Sequence, residues 1–150
     1  MNNLSKLTAG RAWGHTGVAL VAAILVATLA RADAPAGRYT TTADTVTDTK
    51  TGLTWQRAAS TQTYSWSAAA AYCTGGWRLP RIKELQTLVD VSRYNPAIDT
   101  FAFPGTPAEG FWSSSPDAVS SSSNAWLVYF SSGFSGDSSM TGAYRVRCVR

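Results

Sequence analysis

Beyond residue 38 the apolar and polar positions alternate near both ends of the chain and follow a helical period between them. Residues 39–42 and 45–48 are threonine-rich, Thr51-Gly52 marks a turn, and residues 53–56 alternate apolar with polar, which predicts strands joined by a hairpin at 48–52. Ser65-Trp66-Ser67 then leads into Ala68, Ala69, Ala70, Ala71, Tyr72 and Cys73. These are strong helix formers with a serine available as cap, stopped by Gly75-Gly76. A second helix is predicted after Trp77-Arg78-Leu79-Pro80, the proline falling near its first turn, with Ile82, Leu85, Leu88 and Val89 on one face. Residues 91–110 hold Pro96, Pro104 and Pro107 with Phe101 and Phe103 between them, as in an ordered loop pinned by buried aromatics. Strand patterning returns at 111–114, at 125–131 after a serine-rich loop, and at 143–150 after a Gly- and Ser-rich connection. In the last strand Tyr144, Val146 and Cys148 share one face and Arg145 and Arg147 the other, so Cys148 is expected to face the core. The order predicts an α+β fold in which two helices pack on a small, mostly antiparallel sheet beside a long irregular loop region.

The first 32 residues do not belong to that pattern. Lys6 and Arg11 supply a basic start, residues 18–30 are an apolar run, and Ala30-Arg31-Ala32 offers small residues before a cut, the features of a secretory signal peptide. A run of about thirteen apolar residues falls short of the ~18–20 that span a bilayer, so cleavage without membrane insertion is expected. The exported product is then one domain, 33–150, periplasmic, secreted or at the cell surface. Losing Lys6, Arg11 and Arg31 leaves ten basic residues against nine acidic ones, which gives little support to nucleic acid as a partner. The cut also removes His15, the one histidine, and with it the usual general base, serine or cysteine activator and zinc ligand. Both cysteines remain, and in an oxidising compartment Cys73 and Cys148 are expected to form a disulfide, tying the first helix to the final strand.

That arrangement looks like the C-type lectin fold, and five phrases sharpen the likeness: residues 45–55 (TVTDTKTGLTW), Trp77-Arg78-Leu79-Pro80 with Lys83-Glu84-Leu85, Phe111-Trp112-Ser113-Ser114-Ser115, Ala125-Trp126, and Val146-Arg147-Cys148-Val149-Arg150. In this order they resemble the Lcl C-terminal domain family, named for the Legionella collagen-like adhesin. The resemblance implies a bacterial surface or secreted domain of C-type-lectin-like fold, linked in its namesake to adhesion and to binding of sulfated polysaccharides. Two departures bound the carry-over: there is no collagen-like repeat to supply avidity, and the Glu-Pro-Asn or Gln-Pro-Asp signature of calcium-dependent sugar-binding lectins is missing.

Candidate binding residues concentrate in 127–141, where small polar and aromatic residues recur as they do in antibody recognition loops. Tyr129, Ser131, Phe134, Ser135, Asp137 and Ser139 are the expected ligand-binding set. The variable proteins of diversity-generating retroelements are similar, displaying diversified residues near the C-terminus of a C-type-lectin-like fold; a plain polar hairpin has the same composition. Arg78, Arg81 and Arg145 are candidates for an anion patch, or for ordinary pairing with Asp90, Asp99 or Glu84. Trp55, Trp77, Trp112 and Trp126 lie within the family phrases and are expected in the core, whereas Trp66 and Tyr64 are freer to be exposed. Glu109, Asp117 and Asp137 are spread among loops without ligand spacing, so no metal is expected, nor any other cofactor. Formylglycine-generating enzymes have a related fold, but without histidine, metal cluster or spare cysteine an enzyme is not expected. The expected function is a non-catalytic module recognising a glycan or surface protein, with a structural subunit of an envelope assembly as the alternative.

Overall fold

The computed structural model describes residues 35–150; the signal expected at 1–32 lies outside them. Strands β1 (Tyr39–Thr41), β2 (Thr45–Asp48) and β3 (Thr54–Gln56) form an antiparallel sheet in chain order, with Val46 opposite Trp55 and Thr47 opposite Thr54. Val46, Asp48 and Trp55 are buried, as the threonine-spaced pattern requires. The β2–β3 turn closes on Asp48, whose carboxylate accepts the Lys50 N–H at 2.9 Å and pairs with Arg38 at 3.2 Å. Gly52 holds the left-handed φ of +74° that the turn needs.

The helices are short. Helix α1 (Trp66–Tyr72) ends on Cys73, and α2 (Ile82–Gln86) begins at Arg81, whose N–H donates to the Glu84 carboxylate at 2.8 Å. Ser65 occupies the N-cap of α1 but its side chain makes no capping bond. Leu85 and Leu88 are buried and Ile82 and Val89 pack against the same core, the face predicted for the second helix. A loop from 87 to 109 follows, pinned by buried Phe103; Phe101 instead stays 63% exposed.

A second antiparallel sheet contains β4 (Gly110–Pro116), β5 (Asn124–Tyr129) and β6 (Phe134–Ser139), again in chain order, with a bulge between Trp112 and Pro116. The expected single sheet is therefore two three-stranded sheets. The Gly- and Ser-rich connection also contains a full strand, β6. Serine, glycine and aspartate are weak strand formers, and what makes β6 a strand is its six-residue register against β5.

The expected final strand at 143–150 is also different. It is an extended segment that joins neither ladder but stitches the free edges of both sheets together. Its N-terminal half bonds to β4: Arg145 N–H donates to Gly110 O at 2.9 Å and its carbonyl accepts Trp112 N–H at 3.0 Å. Its C-terminal half bonds to β3, through Gln56 N–H to Cys148 O and the reciprocal pair between Thr54 and Arg150, while Val149 exchanges bonds with Arg78. No neighbour runs alongside long enough to make a ladder. Both its faces are buried: Tyr144, Val146 and Cys148 enter a core with Ala69, Leu79, Trp112 and Leu127, while Val149 enters the other with Val46, Trp55, Leu85, Phe103 and Phe111. Arg147 points away from Cys148 as the alternation predicts, yet into protein and not into water.

Cys73 and Cys148 form the disulfide, with Cα atoms 5.7 Å apart and a sequence separation of 75. It joins the end of α1 to this central segment.

Candidate functional site

The β5–β6 register decides which of the expected binding residues share a surface. Directly opposed residues of an antiparallel pair project to the same face. Tyr129 faces Phe134, Leu127 faces Gly136 and Ala125 faces Ser138; on the other face Val128 meets Ser135, Trp126 meets Asp137 and Asn124 meets Ser139. The six predicted residues are thus divided. Tyr129 and Phe134 stand on one face, Ser135, Asp137 and Ser139 on the other, and Ser131 in the turn, where its carbonyl accepts the Asn95 N–H.

The first face carries an aromatic patch. The rings of Tyr129 and Phe134 stack at 6.5 Å and 23°, Tyr144 meets Tyr129 edge-on at 6.1 Å, and Trp112 meets Tyr144 edge-on at 4.8 Å. Two glycines let the rings lie this close: a Cβ on Gly110 would stand 2.6 Å from the Tyr144 ring, and one on Gly136 would stand 3.0 Å from the Phe134 ring. Burial falls away from Trp112, fully buried, out to Phe134, 64% exposed. The polar edge is a hydroxyl chain. Tyr144 lies 3.0 Å from the Ser138 hydroxyl. The neighbouring Tyr144 hydroxyl pushes the Tyr129 pKa up to about 12, with burial adding to the rise, and the Ser138 and Tyr129 hydroxyls lower that of Tyr144. Ser138 lies within the expected region 127–141, whereas Tyr144 lies outside it; the signal available for Tyr144 was its place on the Cys148 face of an alternating segment.

On the second face the polar side chains are engaged with each other. Gln86 donates to the Ser135 hydroxyl at 3.0 Å, Asn124 donates to the Asp137 carboxylate at 2.8 Å, and Ser139 bonds Thr141 at 2.8 Å.

The arginines do not form one patch. Arg78 makes a bidentate pair with Glu84, both bonds 2.7 Å, which holds the Glu84 carboxyl below its ordinary range. Arg78 and Arg81 border one cavity of about 440 Å3 with Glu84 and Ser114. Arg145 lies away from it, paired with Glu109 at 2.8 Å and donating to the carbonyls of Ser60 and Thr61. Asp117 caps the amides of Val119 and Ser120.

Of the four tryptophans expected in the core, Trp55 and Trp112 are fully buried, while Trp77 and Trp126 are half-buried. Trp66, expected to be freer, packs against the second core and donates its indole N–H to Ser113 O at 2.8 Å; Tyr64 packs there too and exchanges backbone bonds with Tyr144. Among the described residues no helix is long and apolar enough to cross a membrane.

These features define a disulfide-closed α+β module of two three-stranded sheets stitched by a buried C-terminal segment. Residues 44–150 match the Lcl C-terminal domain, and the chain belongs to that family. No curated protein matches the chain.

Proposed function

We propose that this chain is an exported, non-catalytic, adhesin-like module of C-type-lectin-like fold that recognises a glycan or surface protein at the cell envelope. Family membership supports the adhesin-like reading, and the disulfide fits an oxidising compartment. The observation that carries the choice of surface is Phe134, which stays 64% exposed while stacked on Tyr129 beside the Ser138–Tyr144 hydroxyl pair. An exposed ring held rigidly by a second ring, with hydroxyls at its border, offers a flat apolar platform at little entropic cost, with donors and acceptors to orient what lands on it. The ligand face is therefore that of Tyr129, Phe134, Ser138 and Tyr144.

The test is binding to a glycan array and to immobilised surface proteins. Phe134→Ala should weaken binding about tenfold or more while leaving the melting temperature nearly unchanged. Asp137→Ala, on the opposite face, should leave binding intact. Binding that survives Phe134→Ala, or that depends on Asp137 instead, would move the site off this face.

A further inference from the structure

A second place on the molecule has the chemistry of a small-ligand site and shares no residue with the hairpin. Between the β2–β3 sheet and the end of α1 lies a cavity of about 310 Å3 walled by Ala58, Ala59, Tyr72 and Trp77, with Asp44 and Gln56 at its polar side. That volume is at the lower end of the ~300–1,000 Å3 usual for small-molecule sites, and the composition, apolar and aromatic walls with a few polar groups, is what such sites share.

The polar groups are unspent. The Asp44 carboxylate, the Gln56 carboxamide, the Tyr72 hydroxyl and the Trp77 indole N–H make no hydrogen bond within the described residues; Asp44 and Gln56 are engaged through their backbones only. This contrasts with the rest of the surface, where Glu84, Glu109, Asp90, Asp117 and Asp137 each hold a partner. Tyr72 is 39% exposed and is propped from behind by Tyr64 at 5.0 Å. Trp77 carries the Arg150 guanidinium 4.5 Å from its ring centroid, which fixes the indole.

The walls are also pre-set relative to each other. Gln56 N–H donates to Cys148 O at 3.0 Å, Cys148 is bonded to Cys73, and Cys73 follows Tyr72 directly. The disulfide and one backbone hydrogen bond thus link the polar side of the cavity to its aromatic side.

We infer that this cavity binds a neutral pyranose ring, stacked against Tyr72 and Trp77 with its hydroxyls held by Asp44 and Gln56. A carboxylate accepts from two hydroxyls and a carboxamide both donates and accepts, which suits a neighbouring pair of ring hydroxyls. The apolar C–H face of the sugar meets the negative face of the aromatic rings. An anionic sugar is disfavoured by the Asp44 charge, since Arg78 and Arg81 border the separate cavity on Trp77 that Asp44 does not line. A cationic ligand would have to share Trp77 with Arg150. One ring, not a chain, matches the size.

The experiment is a titration of the disulfide-bonded chain, followed by 1H–15N spectra, with the methyl pyranosides of glucose, galactose, mannose and N-acetylglucosamine. At least one should shift the Trp77 indole and Gln56 side-chain signals together with the backbone amides of residues 44 and 72, saturating at about millimolar concentration. Asp44→Ala and Tyr72→Ala alter exposed side chains and should each weaken that response at least tenfold, with melting unchanged. Phe134→Ala should leave it as it is, so that failure here and failure of the hairpin reading are separable. The proposal is overturned if none of the sugars moves these signals, if the shifts persist in both variants, or if tetramethylammonium produces them and the sugars do not.

Discussion

A guanidinium can be buried without a carboxylate only where carbonyls and aromatic faces replace the water it loses. Arg147 has both: it donates to the carbonyls of Gln56 and Arg57 and to the Thr106 hydroxyl, and its charge sits 4.7 Å from the Phe103 ring centroid and 6.0 Å from that of Phe111. Burial pushes its pKa down only to about 9, so it is a cation at neutral pH, and its Nε has no hydrogen-bond partner among the described residues. Replacing it therefore sets two costs against each other. Arg147→Met removes the desolvated charge but strands acceptors at about 1–3 kcal/mol each when dry, a net loss of about 3 kcal/mol. Arg147→Lys keeps the charge and loses the fork that spans three acceptors while lying flat on Phe103, so it should be worse than Met. Urea midpoints in the order wild type, Met, Lys are expected; a Lys variant as stable as wild type would show that charge alone suffices. The sequence showed which way Arg147 points, because alternation is local. It did not show that this side is dry, because the Phe103 and Phe111 that cover it come from a distant loop and strand.

At the scale of elements, what was legible followed strong local signals. The β2–β3 turn is written in Asp48 and Gly52, the first helix in its alanines, and the core face of the second in Ile82, Leu85, Leu88 and Val89. Strand β6 carried no such signal, since its sequence favours loops and its conformation comes from β5. The register it adopts then divided the expected binding set, which no count of residue types along 127–141 contains: Phe134 and Ser135 are neighbours in the chain and on opposite faces of the sheet. The turn that fixes this register depends on Gly133, which has φ +79° and would place a Cβ 2.6 Å from the Val89 side chain. Gly133→Ala should cost about 2–3 kcal/mol, combining left-handed strain of about 1–2 kcal/mol with displacement of Val89. Gly52→Ala, with nearly the same φ and open space around it, should cost only the strain. Equal losses in the two variants would mean that the Val89 contact yields freely and that the hairpin is not anchored there.

Across the whole molecule, two small sheets that share no ladder are held as one body by the 143–150 segment and by the bridge that ties it to α1. The Cys73–Cys148 pairing was legible because the sequence holds two cysteines, each with one possible partner; that the bridge closes onto a segment between two cores was not, since only the tertiary arrangement gives both sides of 144–149 something to bury against. A closed loop of 75 residues stabilises the native state by about 4 kcal/mol in the chain-entropy account. The double substitution Cys73→Ser, Cys148→Ser should therefore lower thermal stability markedly. Its effects on the two proposed surfaces should differ. The β5–β6 hairpin is anchored through Gly133 and through Gln86 to Ser135, neither of which involves the bridge, and only Tyr144 of its ligand face lies on the bridged segment, so the folded double variant should still bind the hairpin ligand and still depend on Phe134. The cavity between Gln56 and Tyr72 has its two sides joined through Cys148 and Cys73, so its sugar response should weaken in that same folded variant, below its melting temperature. A double variant that melts with the parent would remove the bridge from the stability account, and one that keeps the full sugar response would show that packing alone sets the cavity walls.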